Sequence, residues 1–115
     1  NGTYMDIPRI KTADWLNTWV TEYIGNVKPA TLKNYQDHVR LNIIPYIGAV
    51  TLSKLNTEMI QQMYNELQTE KGLSPKTIKN IHGVLHRALE QAQKIGYLRS
   101  TPSRLLRCRA LRKNR

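Results

Sequence analysis

Two short stretches of this chain pair residue types suited to gripping an anion. Pro29-Ala30-Thr31-Leu32-Lys33-Asn34-Tyr35 reads P-x-T-L-K-N-Y, and 46 residues later Pro75-Lys76-Thr77-Ile78-Lys79-Asn80-Ile81 reads P-x-T-I-K-N-I. Proline suits the first position of a helix, where its missing N–H would have no partner anyway. Thr suits the same turn, and the aliphatic residue suits a core. The repeated Lys-Asn pair is not demanded by that geometry. It falls in the first two turns, beside helix N–H groups with no partner further back and at the positive end of the helix dipole, where a phosphate is favoured. Lys reaches phosphate or guanine, and Asn can bond an adenine edge with two hydrogen bonds.

Other constellations offer less chemistry. His82 and His86 have the i, i+4 spacing of a metal pair, but no third ligand is evident and the lone thiol, Cys108, lies far off in the tail. Neither a metal nor a cofactor is expected. There is no G-x-x-x-x-G-K-[ST], no G-x-S-x-G and no H-E-x-x-H, so no catalytic residue is assigned. Trp15, Trp19, Tyr23 and Tyr35 fit core packing better than a base-stacking platform.

The elements that hold these residues read as helices. The first runs from about Lys11 to Ile24, with Thr12 as its cap, a stripe of Leu16, Trp19, Val20, Tyr23 and Ile24, and Gly25 at its end. The second starts near Pro29, lines one face with Leu32, Tyr35, Val39 and Ile43, and is expected to stop at Pro45. A connector over 46–54 carries Gly48 and the apolar pair Val50 and Leu52. The third covers about Thr57 to Thr69, buries Ile60, Met63, Tyr64 and Leu67, and is followed by Gly72. In the fourth, Ser74 caps, Pro75 follows, and Ile78, Ile81, Leu85, Ala88, Leu89 and Ala92 give the stripe before Gly96. Thr101-Pro102 is suited to cap one more short amphipathic turn with Leu105, Leu106 and Leu111. Strand alternation bounded by hairpin turns is missing, so the fold class is all-α, an orthogonal bundle of four to five helices.

On a helical wheel of ~100° per residue, the fourth helix sets Lys76, Lys79, Asn80, Gly83, Arg87 and Lys94 opposite its apolar stripe, with Glu90 the one acid in that sector. Gly83 would let the backbone approach a duplex closely.

Global charge agrees, with a reservation about where it sits. The 115 residues hold 18 Lys+Arg against 8 Asp+Glu, a net charge of +10. Such a surface favours polyanions through counterion release. Arg104, Arg107, Arg109, Arg112, Lys113 and Arg115 supply six of those cations; without them 12 basic residues face 8 acidic ones. Placement on helices is therefore the stronger signal. One cysteine allows no internal disulfide, which fits a reducing compartment such as the cytoplasm. No apolar run nears the ~20 residues of a membrane span, so no membrane partner is expected.

The ordered set of features resembles the core-binding domain of the tyrosine recombinases, the phage-type integrases. The family pattern is an aromatic-rich first helix, then T-x-x-x-Y-x-x-x-l-x-x-h-I-x-P-x-l-G, an l-x-x-l-t segment, and S-x-x-T before a long helix ending A-x-x-x-G-x-I. Here these read Trp15, Leu16 and Trp19; Thr31, Tyr35, Val39, Ile43, Pro45, Ile47 and Gly48; Leu52, Leu55, Thr57 and Ile60; and Ser74, Thr77, Ile81, Leu85, Ala88, Leu89, Ala92, Gly96 and Leu98. The match covers roughly residues 11–102. Asn42 stands where many relatives have His, and Thr101 where Asn is common before Pro102.

The resemblance implies a helical (SAM-like) domain over 11–102, preceded by an arm or linker over 1–10 and followed by a basic linker over 103–115 toward an absent catalytic domain. It implies double-stranded DNA of a core recombination site as partner, gripped opposite the catalytic domain by the second and fourth helices, and other integrase protomers beside it. Family catalysis needs an H-x-x-R box and a late Tyr nucleophile; His38, His82 and His86 begin no such box, so this chain is not expected to cut DNA alone. The contact residues expected are Thr31, Lys33, Asn34, Lys76, Thr77, Lys79, Asn80, Gly83 and Arg87, with Arg99 and the basic tail behind them. Two rivals remain: a helix-turn-helix regulator, which the long stretch from Pro45 to Asn56 disfavours, and a helical protein-interaction module with an incidental basic tail.

Overall fold

A computed structural model describes residues 9–25 and 27–98. The expected contact Arg99, the basic tail, the turn after Thr101 and residues 1–8 lie outside the described residues. Among the described residues five α-helices follow in order: α1 (Thr12–Thr18), α2 (Pro29–Asp37), α3 (Ile44–Ile47), α4 (Thr57–Thr69) and α5 (Pro75–Lys94). π-helical turns, Trp19–Tyr23 and His38–Ile43, extend α1 and α2, and a 3-10 turn spans Leu52–Lys54. No strand occurs among the described residues; Lys11 and Thr51 form one isolated bridge. The all-α expectation holds.

α5 is the spine, as its sequence dictates. Ser74 Oγ accepts from Thr77 N–H, Pro75 opens the helix, and the stripe from Ile78 to Ala92 is buried, Val84 with it. Gly96, at φ +91°, ends the segment, a backbone state that suits glycine. α4 is capped by Asn56, whose side chain accepts from Met59 N–H, and buries the four residues its pattern marks.

Two expectations fail because residues distant in sequence intervene. Thr12 does not cap α1. It is fully buried, and its hydroxyl and its N–H both donate to Val50 O, at 2.8 and 2.9 Å. Ala13 N–H donates to Gly48 O at 3.0 Å, so the connector's carbonyls satisfy the start of α1. Gly48 is required there: a Cβ would stand 2.6 Å from Ile44 O and 3.1 Å from Ala13 Cβ.

Pro45 does not stop the second helix. α2, the π turn and α3 run without a break from Pro29 to Ile47. In a regular α-helix the Pro45 ring would press on the carbonyl of Leu41 and could give it no N–H. The wider π turn relieves that crowding. Lys71 Nζ then donates to Leu41 O at 2.6 Å and to Asn42 Oδ1 at 3.2 Å. A side chain from the loop after α4 thus replaces the missing donor.

One core joins every helix. Trp15 is fully buried on α1, and its indole N–H donates to Ala88 O of α5 at 2.9 Å. Trp19 stacks on Tyr35 of α2, centroids 5.7 Å apart at 22°. Tyr23 departs from the core expectation. It is 39% exposed, its ring tilted at 51° to that of Trp15 with the centroids 5.3 Å apart. It falls in the last turn before Gly25, where the helix already leaves the core.

Candidate nucleic-acid interface

The face of α5 opposite the core is open. Lys76, Lys79, Asn80, Gly83, Arg87 and Lys94 are all exposed, as the wheel requires. Thr77 is half-buried, and its hydroxyl accepts from Ser74 Oγ at 3.1 Å, which leaves its own hydrogen to donate. Its N–H is taken by the Ser74 cap, as the sequence predicts, so one first-turn donor is already satisfied and does not face a ligand.

Gly83 stands mid-way along a 20-residue helix with nothing within 4 Å of where a Cβ would be. Packing inside the chain therefore does not require it. Glycine at such a position costs roughly 1 kcal/mol relative to alanine.

α2 differs in two ways. Its N-cap, Lys28, makes no side-chain cap bond, so no side chain caps its first turn. Lys33 and Asn34 are exposed and Thr31 half-buried. Lys33 is committed, however: its Nζ lies 3.2 Å from Asp37 Oδ2, while Arg40 Nη2 lies 3.1 Å from Asp37 Oδ1. The hydrogen bond from Lys33, with Arg40 helping, holds the Asp37 carboxyl below its usual range. One carboxylate thus offsets part of the charge of two cations, which the sequence reading of α2 did not foresee.

A cleft of about 210 Å³ lies between α5, which supplies Arg87, Glu90, Gln91 and Lys94, and the end of the first helix with the segment after it, which supply Trp19, Tyr23, Ile24 and Val27; Tyr35 of α2 completes the lining. Of the expected contact residues, Arg87 is on its wall.

The two histidines of α5 have partners within the protein. His82 Nδ1 lies 2.9 Å from Tyr64 Oη, and its ring stacks on His86 at 5.9 Å. His86 Nε2 lies 3.2 Å from Glu90 Oε2. Among the described residues no group of three or more His, Cys, Asp or Glu could hold a metal.

Burial, then the neighbouring His86, pushes His82 below its ordinary value of 6.5; burial does the same to His38. Both imidazoles bind a proton more readily in the unfolded chain. Their contribution to stability is complete above about pH 6.5 and is lost as pH falls through the lower folded values. Thermal melts should show a lower Tm at pH 5.5 than at 7.5, and His82→Gln should flatten that dependence. A Tm that rises toward acid would contradict the assignment.

The chain is similar to known proteins in both sequence and fold. Residues 13–68 match the family described as phage integrase, N-terminal SAM-like domain. The solution structure of a phage integrase SAM-like domain from Moorella thermoacetica superposes with a TM-score of 0.72 at 35% identity, over 89% of this chain and 87% of that one. An integrase-like domain from Bacillus cereus gives a TM-score of 0.79 at 25% identity, over 86% and 83%. A XerC-like tyrosine recombinase from Caldanaerobacter subterraneus subsp. tengcongensis is 32% identical over 105 residues. That alignment takes in 89% of this chain and 26% of the recombinase, so the chain spans about a quarter of that relative's length.

These likenesses define the class, an all-helical integrase SAM-like domain. The chain belongs to the phage integrase SAM-like domain family. No helix among the described residues is long and apolar enough to cross a membrane.

Proposed function

We propose that this domain grips duplex DNA for a site-specific recombinase, laying the exposed face of α5 and the first two turns of α2 on a core-type site. It works opposite a catalytic domain and alongside other protomers, and takes no part in bond cleavage itself. In this reading 11–102 is the gripping domain, 1–10 an arm and 103–115 a basic linker, and Arg99 adds a further phosphate contact. Lys33, Lys76, Lys79 and Arg87 bind phosphates, Thr31 and Thr77 donate hydroxyls to them, and Asn34 and Asn80 read base edges.

The observation that carries this reading is Gly83: an exposed glycine at the centre of the longest helix, flanked by cations, with open space beside it. Its cost to the helix is not repaid inside the chain. Close approach of a duplex backbone would repay it.

Two substitutions test this. Gly83→Ala should raise stability by about 0.5–1 kcal/mol, because alanine is the better helix former. Gly83→Leu should weaken duplex binding by about tenfold, one buried side chain's worth of steric misfit, while the fold is retained. Equal duplex affinity for the wild type and both variants would mean that nothing docks at Gly83.

A further inference from the structure

The cleft between the end of the first helix and α5 has two unlike walls. One is aromatic and aliphatic: Trp19, Tyr23 and Tyr35, with Ile24 and Val27. The other is a polar stretch of α5: Arg87, Gln91 and Lys94, with Glu90. Tyr23 leaves 39% of its surface open to water while Trp15 supports its ring at 5.3 Å. An aromatic surface facing exposed cations is the combination that unpaired nucleotides use, base on ring and phosphate on cation. The volume, about 210 Å³, lies below the ~300–1,000 Å³ of pockets for larger ligands. Glu90 stands on the same wall, and its carboxylate is engaged one turn back by His86 Nε2 at 3.2 Å.

We propose that this cleft binds one unpaired nucleotide of single-stranded DNA, with the base against Tyr23 and its phosphate between Arg87 and Lys94. The site is additional to the duplex face and shares only Arg87 with the contacts assigned there. An acidic peptide would use the cations but leave the aromatic wall idle.

The test is titration of the isotope-labelled chain with the pentanucleotide dT5, read by amide chemical shifts, beside parallel titrations with inorganic phosphate and thymidine. The dT5 strand should move the amide signals of Tyr23, Val27, Gln91 and Lys94. Tyr23→Ala should weaken dT5 binding about tenfold, within the range found for losing one stacked base. Tyr23→Phe, which keeps the ring, should stay within about twofold of wild type, and Lys94→Gln should weaken dT5 several-fold. Duplex affinity should change by less than about twofold in both Tyr23 variants, so this proposal and the duplex reading fail separately. Unchanged dT5 affinity in Tyr23→Ala would overturn the proposal. So would dT5 shifts confined to Lys33, Lys76 and Lys79, or phosphate alone reproducing the full dT5 pattern while thymidine moves nothing.

Discussion

Reversing two charges, Lys76→Glu with Lys79→Glu, is expected to reduce duplex binding by about 100-fold at 0.1 M salt. Each phosphate contact contributes about 0.9 to the slope of log K against log salt, so losing one costs roughly eightfold at that concentration relative to 1 M. Two lost contacts multiply, and the new carboxylates add repulsion. Both side chains are exposed on α5, and neither makes an ion pair described here, so the fold should be unaffected. Melting temperature checks that directly. The salt slope should become shallower by about 2. Retained affinity in the double variant would favour the rival reading, in which the helical body is a protein-interaction module and the basic tail alone attracts DNA.

The largest stability effect is expected at Trp15. Its indole fills the centre of the core and ties α1 to α5 through the bond to Ala88 O. Trp15→Ala should cost about 3–5 kcal/mol, from lost burial and the cavity left behind. That is a large part of the 5–15 kcal/mol typical of a domain, and duplex binding should fall with the folded fraction. Trp15→Phe keeps much of the volume but not the donor and should cost less, about 1–3 kcal/mol. Denaturant titration measures both; a variant with Trp15→Ala as stable as wild type would mean that the α1–α5 contact is not part of the core's support.

How far these features were legible in the sequence differs from helix to helix. α5 was almost wholly so, because capping by Ser74, proline at the first position and a long 3.6-residue stripe are all local. The same pattern located its cationic face. Pro45 misled because the rule for proline is local while its remedy is not: the donor to Leu41 O comes from Lys71, 30 residues on. Thr12 looked like a cap, yet the carbonyls that receive its donors belong to the connector after α3. Asp37 stands at i+4 from Lys33, a spacing legible in the sequence, and its pairing draws Lys33 back onto α2. Tyr23 fitted the helical stripe of α1, but a stripe says nothing of where the helix runs out of neighbours. The cleft beside it emerges only when the end of the first helix is set against α5.

The most direct measurement of the central claim is a titration of the chain onto duplex DNA at several salt concentrations. If about six phosphates are neutralised, log K should fall with log salt at a slope of roughly −5. A flat salt response, or no binding at low salt, would contradict the assignment of this domain to DNA.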